Sequence, residues 1–200
     1  MKSPRYALLS VFTKDSQFLQ FATFLVSQGY KLVSSGGTAK FLLGNDLEVT
    51  DVEELTGFPP MLKHRVVTLA PQVHAGLIAT DDMLSELEEH DLIKFDLLYV
   101  TFYPLEEEMA KQGTTLQSCI DSTDIGGPTM VASACKSRRM IVMTGPQQVR
   151  KVTDWMKSGC ADPEEFCYEL ETEALQACAD YAQLSADVRQ SFTLTPADVY

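Results

Sequence analysis

An α/β fold with a mostly parallel sheet is what this 200-residue sequence predicts, and three observations carry that reading. Short apolar runs alternate with amphipathic ones, the pattern of strands buried on both faces and the helices that cover them. Polar, glycine-containing turns fall where the apolar runs end, on the loops that lead into helices. The composition, 45% hydrophobic and 22% charged, is that of a globular chain long enough to bury a full core.

The elements follow in order. "RYALLSVF", Arg5 to Phe12, reads as a buried strand, and "SQFLQFATFLVSQG", Ser16 to Gly29, places apolar residues at helical spacing before a glycine stop. "YKLVSS", Tyr30 to Ser35, is a second strand running into "GGTAKFLL", where a helix starts. "LEVTDV", Leu47 to Val52, is a third strand; Phe95 to Leu105 and Arg139 to Gly145 are further buried strands, each followed by a helical pattern. After Pro163 the sequence reads as one long helix or two, acidic on the outer face. We expect one domain over 1–200, an α/β core over 1–158 with an acidic helical C-terminal extension over 159–200. No internal repeat or linker interrupts it.

Composition narrows the function classes. The net charge is −12, and Cys160 to Tyr200 holds nine acids and one base, leaving −4 for the other 159 residues. That balance argues against a nucleic-acid surface, which needs clustered Lys and Arg. It leaves room for a small anionic ligand, which needs only a few local donors. No apolar run approaches the roughly 18–20 residues of a membrane span, and "MKSPRYALLSVFTKDS" is not a signal peptide, so a cytoplasmic protein is expected. Cys119, Cys135, Cys160, Cys167 and Cys178 are odd in number and form no CxxC pair, which points to reduced thiols rather than disulfides or zinc. Cys135 reads as a small buried hydrophobe. His64, His74 and His90 show no metal spacing, and His74 reads as a hydrogen-bonded core or rim histidine. Neither metal nor cofactor is expected.

Four segments hold groups that do chemistry. "SSGGTAK", Ser34 to Lys40, sits at a strand-to-helix turn, where two glycines, Ser35, Thr38 and free helix-start N–H groups make either an anion cradle or a tight turn with a capping threonine. Those residues alone leave both open. Lys14 and Arg65 flank strand ends, as solvated charges or pointing into the same region. "STDIGGPTMVASACK", Ser122 to Lys136, puts Asp124 before a glycine turn and Lys136 further along a helix. The two form an acid–base pair or hold a planar polar ring, unless Asp124 only caps and Lys136 is only a surface charge. Tyr103, in "TFYPL" at a strand end, offers a hydroxyl to a carbonyl or to water. "ELTGFPPML" precedes "HRVVTLAPQVHAG", His64 to Gly76, which has the cadence of an active-site loop but few reactive groups.

Taken in order, "LLSVFTKDSQFLQFATFLVSQGYKLVSSGGTAKFL", "VEELTGFPPML", "RVVTLAPQVHAGLI", "DLLYVTFYPLEEEMA" and "STDIGGPTMVASACKS" resemble the IMP cyclohydrolase domain. In most organisms that domain is the N-terminal half of a bifunctional purine enzyme whose other half is AICAR transformylase. The resemblance covers essentially the whole chain, and "ELTGFPPML" and "DIGGPTMV" are its most specific parts. It implies a methylglyoxal-synthase-like three-layer sandwich, a stand-alone cyclohydrolase domain, and a homodimer that works with a separate AICAR transformylase. The implied reaction is ring closure of formyl-AICAR to IMP with loss of water, the last step of de novo purine biosynthesis, by a hydrolase without metal or cofactor. By resemblance Lys14, Ser35, Gly36, Gly37, Thr38, Arg65 and Thr68 hold the 5′-phosphate. Asp124, Ile125, Gly126 and Gly127 bind the base, and Tyr103, Asp124 and Lys136 match the catalytic positions.

The chain departs from the family pattern at ligand-facing loops. Val67 stands for a lysine, Ala70 for a histidine, Thr13 for an aspartate and Ala132 for an arginine, while Thr101 replaces an asparagine and Ser137 and Arg138 replace Asn and His. Losing one oxyanion donor typically costs about a hundredfold or more in rate. Two principal readings follow: a cyclohydrolase that tolerates these changes, or a catalytically impaired or repurposed purine-nucleotide-binding or interaction module. A changed reaction on a related ribonucleotide is a third, and a methylglyoxal synthase is the weakest.

Overall fold

A computed structural model describes residues 4–62 and 65–192. His64 and the last residues of the expected extension, 193–200, lie outside that range. Strand β1 (Arg5–Ser10) leads to helix α1 (Ser16–Ser27), β2 (Tyr30–Ser34) and α2 (Gly36–Leu43). Then come β3 (Val49–Asp51), α3 (Val52–Thr56), α4 (Pro71–Ile78) and α5 (Leu84–Glu89). β4 (Leu97–Val100) is followed by α6 (Leu105–Met109), α7 (Leu116–Asp121) and α8 (Gly126–Ser137). The chain continues through β5 (Ile141–Met143), α9 (Gln148–Lys157) and α10 (Pro163–Ser191).

Among the described residues five strands form one sheet in the order β3-β2-β1-β4-β5, and every pairing is parallel. Alternate strand residues enter opposite layers, as the two-residue period of a strand requires. Ala7, Leu9, Leu32, Leu97, Tyr99 and Ile141 pack with α1, α2 and α9 on one face. Leu8, Val33, Leu98, Val100 and Val142 pack with α3, α4 and α8 on the other. This is the three-layer α/β sandwich that the alternating runs predicted, with a sheet more uniformly parallel than expected.

The strands are shorter than their apolar runs. The segment Phe95 to Leu105 yields only Leu97–Val100, because the chain leaves the sheet at Thr101 and Pro104 stands at the start of α6. Leu47 to Val52 yields Val49–Asp51, because the Asp51 side chain and Glu54 form a capping box that starts α3 at Val52. In α1, Asp15 Oδ1 accepts the Phe18 N–H at 2.8 Å, ending the β1–α1 loop.

The helical C-terminal segment is a single 29-residue helix, α10, which settles the choice between one helix and two. It packs along β5 and α8, with Leu170 in one layer and Ala174 in the other, so it covers the open edge of β5. Gln148 and Lys151 of α9 reach Glu173 of α10 at 2.6 and 3.0 Å. No described helix is long and apolar enough to cross a membrane.

Arg139, between α8 and β5, fastens the layer below the sheet. Its guanidinium donates to the carbonyls of Ala79, Phe95 and Gly76 at 2.6, 2.5 and 2.9 Å. Gly76 also permits α4 to lie against this segment, since a Cβ there would stand 2.1 Å from the Ile93 carbonyl oxygen. Gly76→Ala is therefore expected to lower unfolding stability by about 3 kcal/mol, the upper part of the overpacking range, measured by urea denaturation.

Candidate functional site

Parallel strands end on one rim, and there the loops after β1, β2 and β4 enclose an open cavity of about 470 Å³. From the β2 side come Ser35, Gly36, Gly37 and Thr38. Gly36 has φ +52°, a left-handed conformation that suits glycine, and it opens α2 with the first-turn N–H groups at the cavity. Lys14 bends over this turn. A Cβ added at Gly37 would stand 3.4 Å from Lys14 Cε, and the ammonium donates to the Phe12 carbonyl at 2.8 Å. Burial pushes the Lys14 pKa below its ordinary value.

The hydroxyl of Thr38 is already engaged. It accepts the Val11 N–H at 3.2 Å and donates to the Val11 carbonyl at 3.1 Å, locking α2 to the end of β1. Ser35 makes no side-chain cap bond. The loop therefore offers backbone N–H groups and the Ser35 hydroxyl, with Thr38 as its brace.

The β4 side is built on Thr101, Tyr103 and the turn from Thr123 to Gly127. Thr101 Oγ1 accepts the Phe12 N–H at 2.7 Å, tying the β1 and β4 ends together. The Asp124 carboxylate accepts the Gly127 N–H at 2.9 Å, capping the first turn of α8. Its own N–H donates to the Tyr181 hydroxyl on α10 at 2.9 Å. The tightness of this turn explains its glycines. A Cβ at Gly127 would meet Asp124 Oδ2 at 2.7 Å, and one at Gly126 would meet Thr68 Oγ1 at 2.8 Å. Burial raises the Asp124 carboxyl above its ordinary pKa against the pull of the backbone N–H groups of Gly127, Tyr103 and Gly126. Burial also raises the Tyr103 phenol, with help from the Asp124 charge, and the ring packs edge-on against Phe12 at 6.0 Å.

Arg65 and Thr68 enter from the loop before α4. Arg65 pairs with Asp121 at the end of α7, and both side chains are about half exposed, so the pair orients more than it stabilises. Thr68 is buried beneath Gly126. One cavity thus gathers Lys14, the Ser35–Thr38 turn, Arg65, Thr68, Tyr103 and the Asp124–Gly127 turn with Ile125.

Lys136 stands apart from them. It is exposed and outside this lining, ten residues along α8 from Gly126, about 15 Å of helical rise. Thr129, Ala132 and Lys136 form the outward stripe of α8, whereas Gly127, Met130 and Val131 face inward. Of the substituted positions, Val67 and Thr101 line the cavity, and Ala70 lines a neighbouring apolar groove with Phe58 and Met61. Thr13 is exposed, as is Ala132.

The remaining expectations concern residues outside the cavity lining. His74 Nδ1 lies 2.8 Å from Ser133 Oγ, with its pKa lowered by burial, which fits a hydrogen-bonded rim histidine. Burial pushes the Cys135 thiol up to about 12, well away from nucleophile chemistry. Among the described residues no group of three or more His, Cys, Asp or Glu could hold a metal ion. Reading the sequence missed Asp121, Phe12 and Arg189, all in the lining, and Tyr181 behind it. For Arg189 a signal existed: it is the one base between Cys160 and Tyr200.

Residues 17–129 match the MGS-like domain family. The chain is 40% identical over 185 residues to the bifunctional purine biosynthesis protein PurH of Leuconostoc mesenteroides subsp. mesenteroides. That alignment takes in 90% of this chain and 36% of the relative, so the chain spans about a third of the relative's length. The crystal structure of ForH superposes with a TM-score of 0.79 at 26% identity, covering 94% of this chain and 97% of that one.

Two substitutions test how the Asp124 turn is held. An acid whose folded pKa is raised binds its proton more tightly when folded, so ionisation subtracts stability as pH climbs from the unfolded to the folded value. Asp124→Asn is expected to be at least as stable as the wild type at pH 7, the difference closing below about pH 4. Tyr181→Phe leaves the Asp124 N–H without its acceptor and is expected to cost about 1–3 kcal/mol. Urea midpoints across pH check both.

Proposed function

The chain belongs to the MGS-like domain family, and on that premise we propose that it is an IMP cyclohydrolase, closing formyl-AICAR to IMP with loss of water in purine biosynthesis. One observation carries the reading most. A single cavity has a glycine helix-start with Lys14 at one end and a donor-and-acid turn, Asp124 to Gly127 with Tyr103, at the other. Its volume of about 470 Å³ suits a nucleoside monophosphate. The 5′-phosphate lies on the α2 N–H groups beside Lys14, and the base lies against the Asp124 turn.

In the reaction the carboxamide nitrogen attacks the formyl carbon, forming the ring C–N bond. The formyl carbon–oxygen bond breaks and the oxygen departs as water, taking one proton from the attacking nitrogen and one from the formamido nitrogen, which closes the new ring C=N bond. Folding the substrate so that the two groups meet supplies much of the acceleration. The Tyr103 phenol, whose pKa burial raises further above neutrality, donates to the developing oxyanion. Asp124, with its carboxyl lifted above the ordinary range, is suited to carrying the proton between nitrogen and oxygen. Lys136, outside the lining, takes no step in this scheme. The reading extends to a homodimer supplied with substrate by an AICAR transformylase.

A second reading is a nucleotide-binding module without turnover. The apolar Val67 in the cavity wall and the outward position of Lys136 favour it. Formyl-AICAR is mixed with the purified protein and IMP formation followed, alongside IMP titration. Turnover is the expected result. Binding of IMP without turnover favours the module, and absence of both overturns the assignment. Val67→Lys adds a cation to the wall and is expected to raise turnover by about tenfold or more.

A further inference from the structure

α10 contributes Arg189 to the cavity lining, with Tyr181 behind it. Tyr181, Ser185 and Arg189 follow one another at four-residue spacing, so they share one face. Tyr181 holds the Asp124 N–H, and its ring packs on Phe102 at 5.1 Å. Ser185 donates to the Tyr181 carbonyl at 2.8 Å. Arg189 donates one N–H of Nη1 to the Ser185 carbonyl at 2.8 Å and lines the cavity. In a stretch with nine acids, the single base stands at the rim of the site.

The three cations of the lining are in different states. The Lys14 ammonium is committed beside the α2 turn, and Arg65 is paired with Asp121. Among the described residues Arg189 forms no ion pair. A guanidinium has five N–H donors and no acceptor, so one bond to Ser185 leaves most of its fork for a ligand.

Its position tells which part of a ligand it meets. Val188 packs with Leu105 of α6 and Cys119 of α7, which places Arg189 on the α7 side of the cavity. α6, α7 and α8 follow β4, whereas the glycine turn follows β2, and β1 lies between those two strands. An anion seated at Gly36 and Gly37 thus points the other end of its molecule toward Asp124 and Arg189.

We propose that Arg189 is a specificity-determining residue that donates to an acceptor oxygen on the base of the nucleotide, selecting a purine with a ring carbonyl over one with an amino group. The inference rests on the cyclohydrolase reading for the orientation of the ligand. The chemistry is one-sided: a group that only donates pairs with an oxo oxygen and leaves an exocyclic amine facing another donor.

The test titrates IMP, AMP and ribose 5-phosphate into wild type, Arg189→Gln and Arg189→Lys. Wild type is expected to bind IMP at least about tenfold more tightly than AMP, the size of one hydrogen bond to a charged group. Arg189→Gln narrows that preference to within about threefold by weakening IMP, because an amide both donates and accepts. Ribose 5-phosphate binding stays within about twofold, since the phosphate end is untouched. Arg189→Lys keeps the charge with a less directional donor set and falls between the two, which keeps the inference testable should the glutamine variant fail to fold. An unchanged IMP preference in either variant overturns the proposal. So does an equal loss for all three ligands, which marks a general field or a structural role. Failure of the wild type to bind IMP at all overturns the site reading itself and this inference with it.

Discussion

Parallel pairing is the constraint on which the rest of this structure depends. Because β1, β2 and β4 run the same way, their carboxyl ends arrive on one rim, and every loop that leaves them starts within reach of the others. The order β3-β2-β1-β4-β5 sends the chain outward in one direction from β1 and then in the other from β4. That reversal leaves a crevice between β1 and β4, the place where open α/β sheets bind ligands. Two small hydroxyls keep the crevice in shape. Thr38 clasps the Val11 backbone from the β2 side, and Thr101 holds the Phe12 N–H from the β4 side. The end of β1 is thereby fixed on both flanks, so the cradle and the acid turn hold a set separation.

The same constraint leaves a parallel sheet with exposed edges, and α10 answers one of them. Covering β5 requires a long helix that crosses from one layer to the other, as Leu170 and Ala174 show. A helix of 29 residues extends some 43 Å at 1.5 Å per residue, far beyond what the edge needs. Its remaining length passes α8 and ends against α6 and α7, bringing Tyr181 and Arg189 to the site. An edge cover thus becomes a wall of the cavity through length alone.

How much of this was legible in the sequence follows from the range of the interactions. Strand and helix order and the glycine turns were readable because each is set by neighbours within a few positions, whereas the grouping of the cavity residues came from the family resemblance. Gly36 announces its own left-handed backbone, and Asp124 lies three residues from the N–H it caps. The lengths of strands were less readable, since apolar character continues past the last ladder bond into Tyr103 and Leu105, which pack without pairing. Lys136 illustrates a different limit. Its spacing from Asp124 allows an acid–base pair on paper, but helical phase carries it to the stripe of Thr129 and Ala132. Arg189 lies 65 residues from Asp124 in the chain, and only the packing of α10 brings it to the same cavity.

The charge distribution can now be understood in the same terms. A chain of net charge −12 is a poor long-range attractor for a phosphate, yet the cavity lining holds Lys14, Arg65 and Arg189 against Asp121 and Asp124. Exposed charges are screened beyond about 8 Å at physiological ionic strength, so an anion in the cavity responds chiefly to that local set. Arg65 and Asp121 largely cancel. What remains is a cation beside the helix start, an acid whose pKa burial raises, and a guanidinium in the same lining. Placing the cation at one end and the donor–acid pair at the other defines a direction for the ligand. Val67 lies in this wall as an apolar surface, and its contribution is shape. A site of this kind favours positioning over electrostatic stabilisation, which suits the proposed ring closure, in which both reacting groups belong to one molecule.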